Sequence, residues 1–574
     1  MKNFLICTIL GLGFFFFACQ PKSAYSTDTA VIDRGKQVFE AQCTSCHNFL
    51  TSGMGPSLAG VTTDVSHDWL VAFIKNPIAV IEGGDERAQV LFAEYKTYMP
   101  PFATMPEEDI DAILAYMNTY QATPDLEGDE NLGPPLEDPI PDTIPMSGET
   151  LVLREVMQIP NSADKGQRAR INKMMPLPGT DRLFLHDLRG TLYEVTGGKP
   201  KAFLNVPDYF PAFKEHPGHA SGLSSFTFHP EYMSNGLFYT NHTEYPDKGP
   251  GADFTYEDTI KITVRAVLTE WKQDDPTSSV FSGTKREIMR VDFVTQIHAM
   301  QEIAFNPLAK PGDEDYGLLY IGLGDGGAVE NRFPFIVQDK SRIWGNIIRI
   351  DPVGNDSKNG HYGIPPGNPF VSEMDQGALG EIYAMGFRNA HRMTWDAADG
   401  KMLASGIGHH QIEELNIIEP GRNYGWPERE GTFRFDKSGD LQHVYALPED
   451  YASDGFTYPV VQFDHDEAAA ISSGFVYYGE QIPALKGKYL FGGIVNGRIF
   501  SVEAADLHLG HQSPISEFKV KFEGNPATKL QDITSEYNDR VDLRFGIDSK
   551  GEIYVFTKAD GRVYKIVGLE GNEM

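Results

Sequence analysis

GEIYVFTKADGRVYKI, residues 551–566, reads as two short strands folded about the turn Lys558-Ala559-Asp560-Gly561. Two apolar-aromatic runs separated by a tight Gly-containing turn are the signature of a β-hairpin. The opening of this stretch, Gly, one residue, then an apolar-aromatic pair, recurs upstream. It appears as GTLYEV (190–195), GLFYTN (236–241), GLLYIGLGDGG (317–327), GEIYAMG (380–386) and GKYLFGG (487–493). The spacing is irregular, so there is no short-period repeat, yet residues 148–568 hold short apolar runs between Gly, Asp and Asn turns throughout. Many hairpins over this length predict a single all-β propeller with long loops. Two successive β-sandwiches are the alternative, disfavoured because no spacer-like segment divides the region.

Upstream the character of the chain changes twice. Residues 122–147, ATPDLEGDENLGPPLEDPIPDTIPMS, are rich in Pro and acid and predict an extended, self-repelling linker. Residues 30–121 show helical periodicity and predict a small all-α domain. Residues 1–18 carry Lys2 and then an apolar run ending in Phe14-Phe15-Phe16-Phe17-Ala18, the pattern of a signal peptide. Ala18-Cys19 resembles a bacterial lipobox, which implies an exported lipoprotein anchored through Cys19, on the periplasmic side or at the cell surface. Across 574 residues, 80 acidic against 49 basic side chains leave a net charge of −31, which argues against nucleic-acid binding.

The four cysteines are Cys7, Cys19, Cys43 and Cys46, and none is left for a structural disulfide. Cys43-Thr44-Ser45-Cys46-His47 is C-x-x-C-H, in which two thiols form thioethers to haem vinyl groups and the His meets the iron. A redox dithiol or half a zinc site is disfavoured by the adjacent His, the exported address and the lack of a second C-x-x-C. Residues 30–121 resemble a class I c-type cytochrome, with Gly35 on the helix before the motif and Gly55-Pro56-Ser57-Leu58 after it. The resemblance implies one covalent haem c, a Pro56 carbonyl that orients His47, and Met99 of Met99-Pro100-Pro101-Phe102 as the second iron ligand. Met54 lies too close to His47. Met105 reads as a hydrophobic staple before a helix over Glu107 to Tyr120.

In the large domain, His298 (IHAMQEIAFNP), Asp325 (GLGDGG), Arg388-Asn389 (GFRNAHRMTWD) and Gly408-His409 (ASGIGHHQIEELN) stand in aromatic, turn-rich surroundings. Each alone has a bland reading as turn chemistry, an ion pair or a satisfied interior residue. Taken in order with GLSSFTFHPEY (222–232), WGNIIRIDP (344–352), GRNYGWP (421–427) and SSGFVYYGE (472–480), the region resembles the glucose/sorbosone dehydrogenase family. That resemblance implies a six-bladed propeller using pyrroloquinoline quinone (PQQ) and Ca2+. It implies His298 as general base, Asp325 as the acid orienting it, Arg388, Asn389 and Arg498 as PQQ contacts, and the Gly408 and His409 carbonyls as calcium ligands. The chain departs from the family's glucose-oxidising branch at Ala220-Ser221, near Tyr478, at Asn496 and at His409.

The two resemblances together imply a quinohaemoprotein. A sugar or alcohol substrate would be oxidised in the propeller, and electrons would pass through the haem to an external acceptor, a protein or a quinone pool. The alternative is a propeller that binds carbohydrate or protein, carrying an electron-transfer cytochrome without PQQ activity.

Overall fold

The computed structural model describes residues 25–571 apart from 45–46, 51, 53–54, 96–98, 100, 104, 123–127, 130, 165, 215–220, 440, 449, 452–453 and 536–539. The leader 1–18, the lipidation candidate Cys19, the haem candidate Cys46 and Met54 therefore lie outside the described residues.

The first domain is helical: α1 (Thr29–Gln42), α2 (Val61–Asp64), α3 (His67–Lys75), α4 (Pro77–Glu82), α5 (Glu86–Tyr95) and α6 (Glu107–Met117). Asp28 caps α1 by accepting from the Ala30 N–H, and Ser66 caps α3 by accepting from Trp69, which satisfies donors that a helix start leaves open. α6 buries Ile110, Ile113, Leu114 and Met117 at helical spacing against Phe39 of α1 and Phe49. It ends at Asn118, ahead of the expected Tyr120, because Thr119 Oγ1 turns back to donate to the Tyr116 carbonyl at 2.7 Å. A Cβ on Gly35 would overlap the Ala112 carbonyl, so only glycine lets α1 and α6 cross this closely. Met105 is half-buried and packs against the same core.

The second domain is a ring of sheets. Among the described residues it divides into six runs of four strands, with a separate three-stranded sheet (Arg429–Glu430, Phe433–Phe435, Val444–Tyr445) inserted within the fourth. Their first strands are Ile171–Pro176, Leu223–Phe228, Met300–Phe305, Ala390–Trp395, Ile471–Val476 and Arg544–Ile547. Each packs on the next and the last returns to the first, which closes a propeller. The final run is completed by Met146–Gln158, which pairs antiparallel with Arg562–Gly571. The same strand also pairs parallel with Ser516–Phe522, fusing the fifth and sixth runs into one eight-stranded sheet. The hairpin expected at 551–566 is present, with Tyr554 opposite Lys565. The recurring Gly mostly has a physical reason: Gly190, Gly236, Gly317, Gly487 and Gly551 take positive φ in the turns that open their strands, while Gly380 does not.

The acidic linker does not stand free. Its described residues from 128 onward lie against the propeller and use backbone N–H groups that no regular element satisfies. Asp129 N–H donates to Asp436 at 3.3 Å, Leu136 N–H to the Val444 carbonyl at 2.9 Å, Ile140 N–H to Asp464 at 3.2 Å and Ile144 N–H to Glu467 at 2.9 Å. Charge repulsion predicted a spacer. The structure instead matches the linker's amide donors to propeller carboxylates and a carbonyl.

Candidate active site

Three segments distant in sequence meet at Gly324. A Cβ there would overlap the His298 carbonyl oxygen and lie 2.7 Å from the Arg388 carbonyl oxygen. The crossing is locked by backbone bonds: Asp325 N–H to Arg388 O at 2.8 Å, Gly326 N–H to His298 O at 3.0 Å and Gly324 N–H to Ala299 O at 3.1 Å. His298 is held at φ 53°. A side-chain-bearing residue in this region costs on the order of 1–3 kcal/mol and persists only where its surroundings over-determine it.

His298 Nδ1 lies 3.5 Å from Asp325 Oδ1 and makes no hydrogen bond. The carboxylate is held instead by the Gly327 N–H at 2.9 Å on Oδ1 and by the Trp426 indole N–H at 3.1 Å on Oδ2. The two residues are thus brought together, but the orienting bond expected between them is a longer electrostatic contact. Burial, and then the Arg388 charge, push the His298 imidazole below its ordinary range, with Asp325 opposing. The ring is therefore neutral near neutral pH, the form a general base needs.

Arg388 is clamped from two sides. One terminal nitrogen donates to the Gly408 carbonyl and the other to Glu330. Glu330 also accepts from His409 Nδ1 at 3.2 Å. Burial works against the Glu330 charge, but Arg388 and His409 outweigh it and hold the carboxyl well below its usual range. Glu430 fixes the neighbouring loop by accepting from the backbone N–H groups of His409 (2.7 Å), His410, Gln411 and Ile412 (3.1 Å each).

These residues fit a flat, polyanionic quinone. Arg388 Nε, Asn389 Oδ1 and His391 Nδ1 are buried without a hydrogen-bond partner among the described residues, a condition that costs free energy unless a ligand completes it. Around His391 stand Arg392, Arg544 and Lys558, whose charges, after burial itself, push it well below its ordinary range. Burial also lowers Arg544 to about 9 and drives Lys558 well down. An anion placed there would offset both penalties. The same residues do not fit the expected calcium ion. The Gly408 carbonyl, expected to meet the cation, instead accepts from the Arg388 guanidinium.

Arg498, expected to touch the quinone, belongs elsewhere. It donates to Glu517 at 2.6 Å, forms an ion pair with Glu467 at 2.6 Å and lies over the Phe500 ring. Two carboxylates claim its guanidinium. The sequence reading missed Glu330, Trp426, His391, Arg544 and Lys558. Trp426 stood inside the quoted GRNYGWP, and Lys558 was hidden by its place in a turn, where a lysine is normally exposed; here it is 2% exposed.

In the helical domain, His47 Nδ1 bonds the Pro56 carbonyl at 2.9 Å, which leaves Nε2 as the nitrogen for iron. Burial holds the ring below its ordinary range, against the Pro56 bond. A Cβ on Gly55 would come 2.5 Å from His47 Cε1, so glycine is needed for the ring to sit there. Cys43 is half-buried and forms the C-cap of α1. Met99 is half-buried between α5 and α6.

Comparison with known proteins gives two family matches. The glucose/sorbosone dehydrogenase model matches residues 171–565 and the cytochrome c model matches residues 32–121. The HIPL1 protein of Arabidopsis thaliana is 27% identical over 276 residues, covering 44% of this chain and 37% of that protein. The aldose sugar dehydrogenase YliI of Escherichia coli is 26% identical over 252 residues, covering 44% of this chain and 57% of that protein. The chain therefore spans between about a third and three-fifths of these relatives. Among solved structures, the PQQ-bound aldose sugar dehydrogenase of Streptomyces coelicolor is 21% identical, with a TM-score of 0.47 over 75% of this chain and 99% of that one. With its model matched over more than two-thirds of the length, the chain belongs to the glucose/sorbosone dehydrogenase family, and it carries a cytochrome c domain ahead of the propeller.

Proposed function

We propose that this protein is an exported, lipid-anchored dehydrogenase that oxidises a hydroxyl group of a sugar or related alcohol with PQQ and passes the electrons through a covalent haem. The observation that carries the reading is the convergence on Gly324 of a strained, neutral His298, a fixed Asp325 and a clamped Arg388, each reached by a different segment. Two relatives described as aldose sugar dehydrogenases support the substrate class.

PQQ, when bound, supplies a carbon centre that accepts hydride. Arg388, Asn389, Arg544 and Lys558 would hold its carboxylate and carbonyl oxygens, since planar or point cations suit those groups. His298 presents Nδ1 to Asp325, leaving Nε2 to take the substrate hydroxyl proton. The imidazolium so formed is stabilised by Asp325, whose own position is fixed by Gly327 and Trp426. Glu330 holds Arg388 in place. In the first domain, Cys43 and Cys46 would attach the haem, and His47 and Met99 would ligate the iron. No step is routed through calcium.

The haem is a built-in reporter for the test. Oxidised, haem-loaded protein is mixed with PQQ, with and without calcium, and offered a panel of aldoses and polyols while the visible spectrum is followed. Reduction that needs both sugar and PQQ is the expected result. No reduction and no retained PQQ would favour a binding propeller that carries an electron-transfer cytochrome.

A further inference from the structure

Among the described residues, two contacts join the cytochrome domain to the propeller, and both lie beside its candidate haem-binding residues. Glu40 of α1, three residues before Cys43, forms an ion pair with Lys261. Tyr95, the last residue of α5 and four before Met99, sets its ring 6.2 Å from that of His410. The partners of these two contacts flank the candidate active site. His410 follows His409, whose Nδ1 bonds the Glu330 that holds Arg388. Lys261 lies two residues before Thr263, whose hydroxyl donates to Val294 O at 3.0 Å. Thr295 N–H then donates to Gly326 O at 2.8 Å, next to Asp325.

Resting on the dehydrogenase reading above, we propose that the cytochrome is held over the mouth of the propeller in its electron-accepting position. Tyr95 and His410 form the contact through which electrons leave for the haem, and Glu40–Lys261 is the latch. Chemistry and docking agree. Oxidation of one CH–OH to C=O releases two electrons and two protons. The iron takes one electron at a time, from ferric to ferrous, and an external one-electron acceptor must empty it before the second transfer. The site therefore needs a standing contact with the haem through two successive transfers. A tethered and latched domain supplies one, because tethering makes the encounter intramolecular. Lys261 is largely exposed, so the latch weakens as salt is added.

The test separates docking, electron transfer and the dehydrogenase reading. Glu40→Lys and Tyr95→Ala are made in the full haem-loaded chain, with the haem spectrum as the folding control. Hydrogen exchange, which needs no PQQ and no substrate, is followed at residues 258–263 and 409–411. With PQQ and the panel sugars, reduction of dichlorophenolindophenol reads the propeller alone, and haem reduction in a stopped-flow reads the transfer. Expected in Glu40→Lys are faster exchange at 258–263 and haem reduction slowed ~10-fold or more, the scale of like charges set against each other at an interface, with dye reduction unchanged. Adding Lys261→Glu restores both. Tyr95→Ala slows haem reduction with the dye rate kept. Unaltered exchange in Glu40→Lys, or unaltered haem reduction in both variants alongside normal dye reduction, overturns the proposal. A wild-type protein that reduces neither dye nor haem overturns the dehydrogenase reading, and the electron path with it.

Discussion

The haem-binding end of the chain gathers its proximal chemistry within Cys43 to Pro56, whereas the propeller assembles its own from residues 298, 325, 330, 388 and 426. The first is local because covalent attachment needs two thiols and an imidazole in one short run, and a nearby carbonyl suffices to aim the ring. The second is global, since no single segment presents a base, an acid and a guanidinium to one point. Close backbone crossing at Gly324 replaces sequence proximity. A local site survives damage elsewhere in the fold, while an assembled one depends on the packing that brings its pieces together.

The sharpest way to break this comparison is His298→Ala. It is expected to lower substrate-driven haem reduction by ~10²–10⁴-fold, the range of general base catalysis, with the oxidised haem spectrum unchanged. Retained turnover would remove His298 from its role. On the other side, Met99→Leu should cost the haem its low-spin, six-coordinate spectrum and leave the propeller's thermal transition in place. If Met105→Leu does so instead, the axial assignment moves. Gly324→Ala tests the assembled site without touching a polar group. Overpacking costs ~1–3 kcal/mol, so calorimetry should show a lower propeller transition and an unshifted cytochrome one.

Acid gives a smaller and more gradual effect. His298, His242, His186 and His391 have folded values below their ordinary one, and His410 lies near 3. The unfolded chain therefore binds more protons once the pH drops below ~6.5. Stability from these groups is complete above that pH and declines as the pH falls from there toward each folded value. Melting temperature against pH should bend downward below ~6.5; a flat profile to pH 5 would show that these histidines are not held neutral.

What was legible in the sequence follows the same division. C-x-x-C-H and Gly55-Pro56 could be read because their constraints are local, and most of the hairpin Gly positions because positive φ repeats from turn to turn. His298, Asp325 and Arg388 were found only through the order of their motifs. Lys558 and Arg544 were not found, since nothing local tells a buried lysine in a Lys-Ala-Asp-Gly turn from an exposed one. Arg498 was misplaced for the converse reason: its carboxylate partner Glu517 comes from a strand whose register the sequence does not reveal. The linker's composition predicted a free spacer, and the amide–carboxylate bonds that fasten it depend on Asp436, Asp464 and Glu467, more than 300 residues away.

The seam of the ring has a consequence for the order of events in the life of the chain. Met146–Gln158 cannot find its antiparallel partner until Arg562–Gly571 exists, about 400 residues later. At roughly 5–20 residues per second, tens of seconds separate completion of the helical domain from closure of the ring. During that interval the Glu40 and Tyr95 edges have no finished propeller to rest against. On the docking proposed above, closure of the last blade completes the ring against which the cytochrome rests, so docking comes after the helical domain has folded.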